Sequence, residues 1–192
     1  MKKVPVIGIL IAAVVYLLLF VLGSSCGLIH PACYAYVGTI LPILMSFVYL
    51  YVAANVQCFG AAVILNGVLL VVGLITGEGN PTFVILIVVL TVIAELLRKL
   101  TGYHTLKGVR HSFIPFAYSF YAYAAHWWTN TAESLAEAVE EMPVGYADKM
   151  ATVIGNVPVL IVTLVLVIPV AILGIRIAEK VMKMQTKLLK QL

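Results

Sequence analysis

Long apolar runs separated by short polar breaks dominate this chain. Six can be drawn, at roughly 4–22, 35–54, 59–76, 81–98, 113–130 and 156–178. A helix of about 20 residues spans the hydrocarbon core of a bilayer, about 30 Å, and every run is near that length. The alternation of a membrane β-barrel, in strands of roughly ten residues, is absent. The pattern predicts an all-α, polytopic protein. It has one six-helix transmembrane domain over 1–192, an amphipathic surface helix at 131–142 and a basic tail at 179–192.

The run at 113–130 stands apart. It carries eight aromatic residues and no formal charge. Phe113, Phe116, Phe120, Tyr123 and Trp127 recur at steps of three and four, which is one face of a helix. Tyr118, Tyr121 and Trp128 form a second stripe about 100° away. Ser112, Ser119, His126 and Thr129 form a third, polar stripe. Lipid alone asks for no polar stripe. Two readings stand: an aromatic interface belt with core packing, or the wall of a ligand site that opens at His126, Trp127 and Trp128.

Composition fixes the class. The chain is 63% hydrophobic and 10% charged, with a mean hydropathy of +1.11, against about 25% charged residues in soluble domains. The net charge of +4 does not mark nucleic-acid binding here, because in a membrane protein position matters more than sum. With six spans, Lys2, Lys3, Arg98, Lys99, Lys107, Arg110, Arg176, Lys180, Lys183, Lys187 and Lys190 fall on one side. Lys149 falls on the other, with Glu78, Glu133, Glu137, Glu140, Glu141 and Asp148. This is the positive-inside pattern, and it places both termini in the cytoplasm of a cell-membrane protein. The first apolar run is long for a signal peptide and reads as a retained span.

The breaks between runs hold the candidate chemistry. The outer loop at 23–34 contains Cys26, His30 and Cys33. These could form a disulfide, supply soft metal or haem ligands, or be plain loop residues. Pro42 predicts a kink in the second span. Asn66, in the third, predicts a hydrogen bond between helices. Glu78 lies in the glycine-rich outer turn before Asn80 and Pro81, where it faces water or caps a pocket. Glu95 has Arg98 and Lys99 one turn on, which predicts a structural ion pair. Asn130 with Glu133 predicts a capping box, followed by a surface helix with Leu135, Val139 and Met142 on its apolar face.

No Walker A, His-Glu-x-x-His or Gly-x-Ser-x-Gly motif occurs. No intramembrane acid pair suggests a protease or proton relay. The expectation is a protein that is not an enzyme, with a decorated outer face and a basic inner one. It needs the lipid bilayer and has no nucleic-acid partner.

Local features then line up with a known group. Gly8-x-x-x-Ala12 is a small-xxx-small pattern. Gly60 and Gly67 lie in a glycine-rich third helix. Gly77-Glu78-Gly79, Ala94-Glu95-Leu96-Leu97-Arg98 with Gly102-Tyr103, and Gly145-Tyr146-Ala147 follow in order. In this sequence of features the chain resembles the Trep_Strep family of integral membrane proteins, grouped with the substrate-binding S components of energy-coupling-factor (ECF) importers. The turn at 56–60 departs from the pattern by lacking a basic residue.

The resemblance implies a mechanism. A micronutrient is bound on the outer side, and a T subunit with two ATPase subunits drives the protein to topple and release it inside. Gly8 and Ala12 would form the docking surface for the T subunit. The substrate contacts would be Tyr121, His126, Trp127, Trp128 and Asn130, with Glu78, Asn80, His30 and Asn156 from the outer turns. Aromatic walls suit a flat ring compound, and haem enters only as a transported ligand. ATP would be used by the partner subunits, and no resident cofactor or metal is expected. The alternative is a membrane interaction or assembly protein with no small-molecule ligand.

Overall fold

Proline and buried charge, more than hydropathy, decide where the helices of this bundle begin and end. The computed structural model describes residues 6–182, so Lys2, Lys3 and the tail lysines Lys183, Lys187 and Lys190 lie outside the described residues. Among the described residues the chain is helical with no strand. The helices are α1 (Val6–Ser25), α2 (Pro31–Tyr36), α3 (Pro42–Asn55), α4 (Ala61–Thr76), α5 (Pro81–Thr101) and α6 (Leu106–Phe116). They continue as α7 (Ser119–Ala124), α8 (His126–Thr129), α9 (Thr131–Glu141), α10 (Tyr146–Ile154) and α11 (Val157–Met182).

Two expected helices are broken. The run at 35–54 divides into α2 with a 3-10 turn and α3, bent by 43° at the break. Pro42 is the cause: it has no N–H to give and sits at the first position of α3. The aromatic run at 113–130 is also not one helix. Pro115 leaves His111 without its i+4 donor, and the chain tightens just after it, where the Tyr118 N–H reaches the Pro115 carbonyl at 3.2 Å. The segment resumes as α7 and α8.

Six membrane-spanning helices were expected. By length and apolar composition, two helical segments of the described residues suffice to cross a membrane, Val6–Leu28 and Val157–Met182. A third is added if the bent α2–α3 pair is one span. Of the rest, α4 has only 16 residues and α6 to α8 are interrupted. An unexpected helix, α10, precedes the last long one.

The interior is aromatic where the first stripe predicted. Phe113, Phe116 and Phe120 are fully buried, as are Tyr16 and Tyr49 from α1 and α3. Their rings form a chain, Tyr49 to Phe116 at 4.5 Å and Tyr16 to Phe116 at 5.5 Å. The surface is apolar instead: Val6, Leu10, Val14 and Leu18 of α1 and Ile161, Val162 and Val165 of α11 are exposed. An exposed surface this rich in large aliphatic groups suits lipid and not water.

Polar groups inside are paired across helices. Asn66 accepts from the Tyr16 hydroxyl at 3.0 Å and the Ser119 hydroxyl at 2.9 Å, and donates to Thr91 at 2.9 Å. One amide therefore ties α4 to α1, α5 and α7, as its place mid-span predicted. Gly174 of α11 faces Pro42 and Ile43 so closely that any side chain there would strike their backbone.

The expected ion pair of Glu95 with Arg98 and Lys99 is not formed. Glu95 Oε1 accepts from the Ala62 N–H, 2.7 Å away, at the start of α4. Arg98, fully buried, donates to the carbonyls of Ala53 at 2.5 Å and Val56 at 2.6 Å, at the end of α3. Each charge meets the helix terminus of opposite partial charge, which satisfies backbone groups that lipid cannot. Among the described residues the ion pair is Arg110 with Glu179, joining α6 to α11.

Replacing Arg98 with Met strands two buried carbonyls, at about 1–3 kcal/mol each. For a chain of this size we predict a fall in melting temperature of about 5–15 °C in detergent. Lys99→Met, at an exposed position on the same helix, should shift it by less than about 3 °C. Equal shifts in the two variants would contradict the capping role of Arg98.

Candidate functional site

The end of the bundle remote from Arg98 is built by turns. Gly77 takes a positive φ of 86° and reverses the chain after α4. Asn80 then caps α5 by accepting the Phe83 N–H at 2.9 Å, with Pro81 at the first helical position. This leaves Glu78 on the turn, beside Tyr123 of α7. From the other side α8 leads directly into α9, which folds back over the end. The join is held by His126, whose Nδ1 shares a 2.8 Å hydrogen bond with Ser134 Oγ of α9.

Under α9 lies a cavity of about 200 Å³. Its floor is Tyr34, Tyr123 and Trp127. The Tyr34 and Trp127 rings meet edge to face at 6.3 Å, and Trp127 is 6% exposed. Its rim carries Glu78 from the turn and Glu137 and Glu141 from α9, with Tyr146 of α10. The indole N–H of Trp127 is buried beside the Tyr34 hydroxyl but makes no well-aligned hydrogen bond. Burial pushes the Glu78 carboxyl above the usual carboxylate range, and the Glu141 and Glu137 charges push it the same way against a hydrogen bond from the Tyr123 hydroxyl.

The residues named from sequence do not all meet there. Glu78, His126 and Trp127 do. Tyr121 and Trp128 lie on another face, in an apolar cavity of about 290 Å³ against Leu86, Leu90, Leu160 and Leu164. Tyr121 is engaged with the Thr39 hydroxyl at 2.7 Å. Four others serve their own backbone or a neighbour. Asn80 caps α5, and His30 Nδ1 accepts the Ala32 N–H at 3.1 Å to cap α2. Asn156 accepts from Val159 at the start of α11, and Asn130 bonds the Glu133 side chain. That last contact replaces the expected capping box, since the Asn130 side chain makes no bond to the helix N–H groups.

Other expectations change in the same way. The face of α9 that is buried is Ser134 and Ala138, while Val139 is 71% exposed. Small residues let the helix lie close. Cys26 and Cys33 are free thiols, and no group of three His, Cys, Asp or Glu side chains able to hold a metal occurs among the described residues. Gly8 and Ala12 line an open apolar groove between α1 and α3, with Val15, Phe47 and Tyr51. A side chain at Gly8 would run into the Tyr51 hydroxyl.

Sequence reasoning missed Tyr34, Tyr123, Glu137, Glu141 and Tyr146 as cavity residues. Glu137 and Glu141 are four apart and therefore on one face of α9, which was a usable signal. The tyrosines come together only through the tertiary fold.

Residues 5–187 match the model of a family described as a hypothetical bacterial integral membrane protein (Trep_Strep). No curated protein matches, and no solved structure does.

The raised pull of Glu78 for its proton has a sign. The folded state binds that proton more tightly than the unfolded chain, so the group favours folding at acid pH and that contribution is lost as pH rises. Glu78→Gln should therefore melt slightly higher than the unaltered protein near about pH 7, by less than about 3 °C, and no higher near about pH 4. Thermal unfolding across that range checks it. A lower melting temperature for Glu78→Gln near neutral pH would contradict the repulsion.

Proposed function

The chain belongs to the Trep_Strep family of bacterial integral membrane proteins, and from that premise we propose that it is the substrate-binding S component of an ECF-type importer. It captures a small micronutrient in the cavity under α9 and delivers it inward after docking to a T subunit that works with two ATPase subunits. The observation that carries this reading is the roofed aromatic cavity at one end of the bundle. A protein that binds and hands over needs a site at one face and no open path, and the ring core of Tyr16, Tyr49 and Phe116 closes the way beneath.

The arrangement proposed in the membrane has six passes, with α9 outside and both termini in the cytoplasm. In support, Arg98, Lys99, Lys107 and Arg110 gather at the end opposite the cavity, and Glu78, Glu137 and Glu141 at the cavity end. Such a distribution is what the positive-inside rule asks for. The groove over Gly8 and Ala12 is the proposed docking face. It is apolar and open, and small residues permit the close helix approach that association in lipid requires.

A test separates docking from binding. Val15→Trp fills the groove while leaving Gly8 against Tyr51. Gly8→Leu with Ala12→Leu is the stronger change. Both should abolish ligand uptake by cells while the purified protein keeps its ligand, measured by mass spectrometry of extracted small molecules. Native purification should also bring down ATPase subunits. Uptake unaffected by either change would remove the docking assignment. Preparations with neither ligand nor ATPase would favour the competing reading, an assembly protein without a small-molecule ligand.

A further inference from the structure

The cavity under α9 carries a charge imbalance. Glu78, Glu137 and Glu141 stand on its rim, and no lysine or arginine is among its lining residues. The carboxylates are close enough that the two on α9 disturb the third. Yet no three acidic or other ligating side chains among the described residues converge tightly enough to hold a metal ion. The negative field is therefore spread over a space wider than a metal's coordination shell.

The floor has matching chemistry. Tyr34, Tyr123 and Trp127 present ring surfaces, and ring faces attract a cation held within about 6 Å. Trp127 adds an independent sign. It is 6% exposed, and its indole N–H, with the Tyr34 hydroxyl beside it, has no well-aligned hydrogen bond. Buried donors are nearly always well satisfied, so one left poorly aligned at a cavity wall is free to meet an acceptor from outside the chain.

We propose that this cavity binds a small organic ammonium compound that also carries a hydrogen-bond acceptor. The charge sits among Glu78, Glu137, Glu141 and the tyrosine rings, and the acceptor meets the Trp127 N–H. The proposal rests on the reading of the chain as a substrate-binding subunit and names the class of its substrate. A cavity of about 200 Å³ lies below the usual range for ligand pockets, about 300–1,000 Å³. It suits a compact amine better than a haem.

Benzoylcholine, which joins a quaternary ammonium to an ester carbonyl, is the probe, and benzoate is its anionic counterpart. Each is titrated calorimetrically into the full-length protein in detergent. Benzoylcholine should bind and benzoate should not. The triple change Glu78→Gln, Glu137→Gln, Glu141→Gln should weaken benzoylcholine by at least about tenfold. Trp127→Phe, which keeps a ring and loses the donor, should weaken it by about threefold or more. Circular dichroism reports whether the triple variant folds, and Glu78→Gln alone replaces it if it does not.

Benzoate binding as tightly as benzoylcholine, or benzoylcholine binding unchanged by removal of the carboxylates, overturns the proposal. So does the absence of benzoylcholine binding to the unaltered protein. These outcomes are separable from the importer reading. ATPase subunits that co-purify with a protein indifferent to benzoylcholine would sink the ammonium site alone. Carboxylate-dependent binding without ATPase partners would sustain the site and sink the importer.

Discussion

Backbone groups at helix ends have nowhere to go in hydrocarbon, and this bundle meets that constraint with two charged side chains one turn apart. Glu95 reaches the opening N–H of α4 and Arg98 the closing carbonyls of α3. The two charges are near one another but bond to different helices. Because α5 supplies both, the end of α3, the start of α4 and the end of α5 are fixed together. The 3.4 Å reach of Arg98 to the Tyr103 carbonyl extends this to the chain entering α6. The cavity at the far end inherits that register, since its floor and turn hang on α4 to α8.

A second constraint sets the geometry of the floor. Pro115 forbids a continuous helix through the aromatic run. The break falls just below Ser119, whose hydroxyl is taken up by Asn66 and by the Phe116 carbonyl at 2.6 Å. The freed polarity is absorbed inside the bundle. Past the break, α7 carries Tyr123 toward α2 and the turn at Glu78, and α8 carries Trp127 under α9. The same break leaves Tyr121 and Trp128 against α5 and α11. One stripe thus supplies the core and the cavity floor, while Tyr121 of its neighbour lies buried against Thr39.

What the sequence made legible follows from which forces are local. The periodicity of Phe113, Phe116 and Phe120 announced the core, and Asn66 announced a bond between helices, because burial and polarity are written residue by residue. Asn80 and Pro81 announced the start of α5 in the same way. The helix breaks were only partly legible: proline marks the place but not the angle. Least legible was the cavity. Tyr34, Tyr123 and Tyr146 are distant in sequence, and no spacing links them. The asparagines of the turns and His30 looked like ligands because capping and binding ask for the same side chains. Without a tertiary frame the two uses are indistinguishable.

The two ends of the bundle treat charge in opposite ways. At the basic end Arg98 is spent on carbonyls and Arg110 on Glu179. At the cavity end Glu78 faces Glu137 and Glu141 with no cation lining the space between them. A neutral rim would fold at least as well, since like charges resist both burial and each other. Local rules broken without internal compensation are expected where function sets the terms. The acidic rim coincides with the poorly aligned indole of Trp127 and with α9, which folds back across the bundle's end. The proposed ligand, a cation joined to a hydrogen-bond acceptor, answers the first two together.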